Sequence, residues 1–210
     1  MNNTEIRVAL GGDIGSGKDD SAIGVRDYFT ARGVCIKYLS VGNDIIRPLA
    51  AQHNIPFNEF LKQLKLDSAL DKQVDLETLK AFDEKRSLVV TSRMAAALAH
   101  RTDIYHVRDP HSIIKIFFDC DENERVRRVC KREFKKVHHR DPTTEEIAPM
   151  RERVRREMLE REELDERRYR ALYNIKNIYD AKYFDYVMDT TNMTLPQQVE
   201  VTCEFVMSRL

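Results

Sequence analysis

Five short apolar runs recur along the chain, at residues 6–10 (IRVAL), 34–40 (VCIKYLS), 87–92 (SLVVTS), 113–120 (IIKIFFDC) and 183–190 (YFDYVMDT). Each run is continuous rather than alternating, and rich in β-branched and aromatic residues. Runs of this kind separated by longer amphipathic stretches predict strands of a parallel sheet covered on both faces. After the first run, Ala22, Val25 and Phe29 fall on one helical stripe that ends at Gly33, a favourable C-terminal cap. The last helix is expected to begin after Thr194 with Pro196 in its first turn, and to carry Val199, Cys203, Val206 and Leu210 on one stripe. The pattern is that of an α/β fold without internal repeats. Residues 135–150 (KKVHHRDPTTEEIAPM), with two prolines and a polar cluster, read as a loop.

One amphipathic stretch, Arg151–Tyr173, breaks its own rule. At about 100° per residue, Val154, Met158, Arg161, Asp165, Arg168 and Leu172 lie within about 40° of one line. Three charged residues therefore interrupt an otherwise apolar stripe, on the face that should pack inward. Burying charge without a partner is costly, so these three need a ligand or each other.

Composition narrows the functional classes. Charged residues are 33% of the chain yet cancel to zero net charge, which argues against a protein that coats nucleic acid or an anionic membrane. The charge is uneven: residues 125–170 hold thirteen Arg and three Lys against eleven acids. At 210 residues the chain suits one domain with a real core. Cys35, Cys120, Cys130 and Cys203 are scattered without C-x-x-C spacing, and read as reduced, buried thiols of a cytoplasmic protein. No apolar stretch approaches the roughly 20 residues of a membrane span, and residues 1–10 lack the pattern of a signal peptide. The adjacent His138 and His139, like His53, His100, His106 and His111, show no metal-ligand spacing and are assigned no role.

The candidate chemistry begins between the first run and the first helix, at residues 11–21 (GGDIGSGKDDS). Gly12, four residues, Gly17 and Lys18 have the spacing of a phosphate-binding loop, in the strand–loop–helix context that its mechanism requires. Gly15 and Gly17 let backbone N–H groups curl around phosphate oxygens, the helix N-terminus adds positive potential, and Lys18 can reach the transferred phosphate. Gly12, Asp13, Ile14, Gly15, Ser16, Gly17, Lys18, Asp19 and Asp20 are accordingly expected to bind a nucleoside triphosphate. The next position after Lys18 ordinarily supplies a hydroxyl to Mg2+, but here it is Asp19. A carboxylate is a good oxygen ligand for that ion, and repels phosphate without it.

From this point the chain resembles the cytidylate kinases, particularly their short archaeal-type form, within the nucleoside monophosphate kinases. Residues 40–47 (SVGNDIIR) are similar to the start of that family's monophosphate-binding region, and NIPFNEFLKQ and ALDKQVDLE look like its helices over the acceptor site. The resemblance implies that Ser40, Gly42 and Arg47 belong to the acceptor site, with Arg47 on the phosphate. Where the family has an acid, Gly and Arg, this chain has Thr91, Ser92 and Arg93; Arg93 would be a second anchor. Asp19 and Thr91 would then have exchanged duties as Mg2+ ligands. Arg161, Asp165 and Arg168 match a motif that contacts nucleotide sugar and phosphates. ERVRRVCKRE resembles the helix into the lid, with Arg128 and Arg132 as phosphate contacts joined by Arg153 or Arg156.

Lys18, Arg128, Arg132 and Arg161 are thus the expected catalytic cations, which suits a reaction that works by neutralising phosphoryl charge. Asp71 and Asp75 fall where the family places base contacts. The implied architecture is a P-loop kinase fold with a five-stranded parallel sheet ordered 2-3-1-4-5 and flanked by helices. Residues 1–210 would form one domain, with a monophosphate-binding insert at about 41–85 and a lid at about 125–170. ATP and Mg2+ would be the cofactors and CMP or dCMP the acceptor, with no nucleic acid, membrane or obligate protein partner. Two other readings stay open. One is a kinase for another monophosphate or for dephospho-coenzyme A; the other is a catalytically silent nucleotide-binding protein, on account of Asp19.

Overall fold

The computed structural model describes residues 5–64, 67–84, 87–99, 101 and 104–210. His100, and Lys85 at the end of the expected insert, lie outside them. Each apolar run becomes a strand: β1 (Arg7–Gly12), β2 (Lys37–Ser40), β3 (Leu88–Thr91), β4 (Ile113–Asp119) and β5 (Tyr186–Asp189). The sheet is parallel throughout, in the order β2-β3-β1-β4-β5 that the resemblance implies. Helix α1 (Lys18–Thr30) follows β1. Between β2 and β3 come α2 (Arg47–Gln52), α3 (Phe57–Leu64) and α4 (Ser68–Glu84), and α5 (Ala95–Leu98) follows β3. Between β4 and β5 lie α6 (Glu122–His138), α7 (Thr144–Ile147) and α8 (Arg151–Tyr173), and α9 (Leu195–Met207) closes the order.

The pleat sorts the strand side chains into two cores. Val8, Leu10, Ile114, Ile116 and Phe118 pack with Ala22, Val25, Phe29, Cys203 and Val206 of α1 and α9. Ala9, Leu88, Val90 and Ile113 face the other layer, built on α4, α5 and the end of α8. A third, smaller cluster joins α6 to α8 through Val126, Val129, Cys130, Val154 and Met158. Packing is tight enough to require glycine at one helix crossing, since a Cβ on Gly24 of α1 would lie 2.4 Å from Val199 Cγ2 of α9.

Three expectations change. Residues 135–150 are mostly helical: α6 runs on to His138, and Thr143 and Glu146 form a capping box that starts α7. Pro142 precedes that cap and Pro149 lies at the start of the 3-10 turn Ala148–Met150, so neither proline breaks a helix. Leu210 lies past the end of α9 and is exposed, while Cys203 and Val206 are buried as expected. Cys35 is exposed, whereas the other three free cysteines are buried. Among the described residues no helix is long and apolar enough to cross a membrane. The carboxyl ends of β1, β2 and β3 bring Gly12, Ser40 and Thr91 to one edge of the sheet, the usual place for a ligand in an open parallel sheet.

Candidate active site

The loop after β1 turns through left-handed backbone at Gly15 (φ 87°) and Gly17 (φ 97°), the latter being the N-cap of α1. A Cβ on Gly15 would meet the Arg125 carbonyl oxygen at 2.7 Å, so the loop is pressed against α6. Arg128 reinforces that contact. Its Nη1 donates to Ser16 O (3.1 Å) and its Nη2 to Thr190 O (2.6 Å), while Nε is held by Glu124 (2.8 Å). The donors of Arg128, expected on phosphate, are here taken by backbone carbonyls and by Glu124, so that it braces the loop from beneath.

At the other end of the loop Lys18 Nζ lies 3.1 Å from Asp19 Oδ2. Burial pushes the Asp19 carboxyl up, but the Lys18 charge and bonds from Thr91 and Lys18 outweigh it, with help from the Arg132 charge, and hold the pKa below the ordinary carboxylate value. Thr91 is buried at the end of β3 and shares a hydrogen bond with Tyr38 OH (3.2 Å). Asp19 and Thr91 are thus neighbours, as a shared ion would require. Among the described residues no group of three His, Cys, Asp or Glu is arranged to hold a metal. Mg2+ asks for less than that, because one or two protein oxygens suffice when water and phosphate complete its shell. The carboxylate of Asp19 beside the hydroxyl of Thr91 fits that requirement.

Beyond the loop opens a cavity of about 300 Å3, lined by Lys18 and Asp19, by Ser40 and Gly42, by Ser92 and Arg93, and by Arg161, Asp165 and Arg168. Opposite the loop its wall is Leu61, Leu64, Val74, Asp71 and Asp75. The three charges on α8 behave differently. Asp165 is buried and accepts from Arg93 Nη1, with Arg168 Nη2 3.5 Å away. Arg168 Nε in turn lies 2.9 Å from Asp71 Oδ2. That approach is an ion pair without hydrogen-bond alignment, and both atoms are buried and otherwise unpartnered. Arg161 is exposed, although it lines the cavity, and has no ion pair or hydrogen bond among the described residues; partial desolvation first, and then the like charge of Arg93, lower its pKa.

The remaining expected arginines stay outside the cavity. Arg47 is exposed, donates to Asn43 Oδ1 (3.1 Å) and stacks 3.9 Å over the Phe57 ring. Arg153 pairs with Glu133 (2.8 Å) and Glu157 (3.0 Å) on the surface, and Arg156 lines a shallow groove on the outer side of α8. Arg132 is exposed on α6, near enough to Asp19 for its charge to act there.

Arg125, Glu162, Tyr173 and Tyr179 join the expected residues without a clear sequence signal of their own. The Asp13 side chain gathers Arg93, Arg125 and Tyr179, and Glu162 pairs with Arg125. Glu162 stands three residues before Asp165 on α8, a helical spacing that could have flagged it. Asp75 accepts from Tyr173 OH at 2.7 Å. Burial lifts the Asp75 carboxyl to about 7, against the Tyr173 bond and with the Asp71 charge adding; burial likewise lifts Asp71 to about 6, against Arg168.

No family model matches the chain. A cytidylate kinase of Pyrobaculum islandicum is 30% identical over 202 residues, covering 95% of this chain and 91% of that protein. A cytidylate kinase of Halorubrum lacusprofundi is 28% identical over 183 residues, 84% of this chain and 79% of that one. Among solved structures, the shikimate kinase of Acinetobacter baumannii superimposes with a TM-score of 0.54 at 10% identity, covering 98% of this chain and 95% of that one. The gluconokinase of Sinorhizobium meliloti gives 0.54 at 11%, covering 98% and 93%. At such identities the likeness is one of fold.

Proposed function

The chain belongs to the cytidylate kinase family, and on that premise we propose that it transfers the terminal phosphoryl group of ATP, with Mg2+, to CMP or dCMP. Arg161 is the observation that carries this reading. It lines the cavity beside two arginines that carboxylates already hold, yet has no carboxylate of its own. Exposed to the cavity beside another cation and without a counter-charge, Arg161 is placed to receive an anion from outside, and a phosphate arriving next to Lys18 supplies it.

The loop amides and Lys18 hold the triphosphate, while Arg93 and Arg161 hold the acceptor phosphate, whose oxygen attacks without any side-chain nucleophile. Arg132 closes over the transferring group, and Arg128 keeps the loop in shape. Asp19 and Thr91 would hold Mg2+, which when bound supplies positive charge to the phosphoryl oxygens. Residues 41–85 act as the acceptor insert and 125–170 as a lid whose closure keeps water out. Asp71 and Asp75 face the base between apolar walls. Between about pH 6 and 7 Asp71 is the more ionised and Asp75 the more protonated of the two, so the pair offers both an acceptor for an exocyclic amine and a donor.

The test is ADP formation across CMP, dCMP, UMP, AMP and dephospho-coenzyme A, each over a Mg2+ titration, for the wild type and Asp19→Ala. CMP or dCMP is expected to react fastest. Asp19→Ala is expected to raise the half-saturating Mg2+ at least roughly tenfold, about 1.4 kcal/mol. An unchanged titration removes Asp19 from the metal site. ATP binding without ADP from any acceptor overturns transfer in favour of a silent binder.

A further inference from the structure

A carboxylate in a loop that receives a triphosphate opposes the loop's purpose unless it serves something else. Asp13 is such a residue. Its Oδ1 accepts from Tyr179 OH at 3.1 Å and lies 3.4 Å from Arg93 Nε, and its Oδ2 lies 3.7 Å from Arg125 Nη1. These partners come from three places: just after β3, within α6, and beyond the end of α8. The side chains of Asp13, Arg93 and Arg125 are all 10–13% exposed, so solvent screens them little.

Arg93 is the partner with a consequence. A long arginine on a bend explores many rotamers unless its guanidinium is fixed, and fixing it in advance leaves less entropy to be lost on binding. Asp165 accepts from Nη1, and Asp13 pairs with Nε at 3.4 Å by charge, without hydrogen-bond alignment, which leaves Nη2 without a partner among the described residues, on a side chain that lines the cavity. The two carboxylates come from opposite sides of the site, one from the triphosphate loop and one from α8. We propose that Asp13 is a positioning residue that aims Arg93 at the acceptor phosphate and so couples the acceptor site to the donor loop. The proposal rests on the kinase reading. It carries a reciprocal consequence, because a triphosphate that settles the loop also settles Arg93, and each nucleotide then tightens the other.

The experiment is Asp13→Asn, which keeps size and hydrogen bonding to Tyr179 but removes the charge. Acceptor KM is expected to rise about tenfold, equivalent to about 1.4 kcal/mol. By calorimetry ATP affinity should not fall, because the change takes a negative charge out of the triphosphate loop. A non-hydrolysable ATP analogue should tighten CMP binding in the wild type and no longer do so in the variant. Arg93→Lys combined with Asp13→Asn should add little to either single change, because both remove the same aim. An unchanged acceptor KM, or equal rises for donor and acceptor, overturns the proposal, since a merely structural tie would weaken the loop itself. Should Asp13→Asn fail to fold, Tyr179→Phe removes one bond to Asp13 and is expected to raise acceptor KM about two- to threefold; no rise overturns the proposal. A wild type that binds no nucleoside monophosphate overturns both readings, whereas a wild type that turns over beside an unaffected variant overturns only this one.

Discussion

Asp75 concentrates, in one side chain, the conflict between burial and charge that runs through the cavity. Its residue is 5% exposed, and its carboxyl accepts from Tyr173. The unfolded chain ionises it near 3.8, while burial lifts the folded value to about 7. Between those values the folded state holds a proton that the unfolded state has released, so stability falls as pH rises across the window and the whole cost is present above it. Asp75→Asn keeps the oxygen that Tyr173 donates to and abolishes the ionisation. Denaturant unfolding is expected to show the variant more stable at pH 8, by on the order of 2 kcal/mol, with the gain shrinking at pH 5. An equal gain at both pH values would contradict the assignment to ionisation. Sequence reasoning placed Asp75 in the base region but could not see its burial. Asp13 was legible as a loop residue and illegible as a hub, because its partners come from elements far along the chain and no local spacing links them.

Elements were easier to read than residues, and the reasons differ between helices. Arg151–Tyr173 was legible to its ends because the apolar stripe has helical period and the charges that interrupt it proved to face the cavity. Residues 135–150 misled because prolines and polar residues mark helix starts as well as loops, and only the pairing of Thr143 with Glu146 separates the two. The crossing of α1 on α9 was visible as two apolar stripes, but not the role of Gly24, whose missing side chain lets the helices approach. Gly24→Ala should gain roughly 1 kcal/mol of helix propensity and lose more to the Val199 contact at 2.4 Å, because a β-branched residue on a helix cannot swing aside. The net expectation is a loss of about 1 kcal/mol, within the range for overpacked sites. Val199→Ala in the same chain should restore most of it in thermal unfolding. If Gly24→Ala alone is stabilising, the crossing is looser than the structure indicates.

At the scale of the whole molecule the zero net charge conceals order. Glu162, Arg125, Asp13, Arg93, Asp165, Arg168 and Asp71 form a chain of alternating sign that runs from α8 through the phosphate loop, back to α8 and on to α4. Such a chain tolerates burial only while it is intact, since each ion is solvated by its neighbours rather than by water. Arg168→Gln breaks it where burial is deepest, leaving Asp71 (3% exposed) without its cation. The expected cost at pH 8 is about 3 kcal/mol, or roughly 6–12 °C in Tm for a chain of this size. Arg167→Gln, one residue away in an exposed pair with Glu163, is expected to change neither measurably. Lowering the pH separates a broken charge chain from lost packing. Asp71 already takes a proton near pH 6 in the intact protein and takes it more readily without Arg168, so the Arg168→Gln deficit should shrink at pH 5. A deficit of the same size at both pH values would mean that α8 is held by shape, and that the alternating charges follow the fold rather than fasten it.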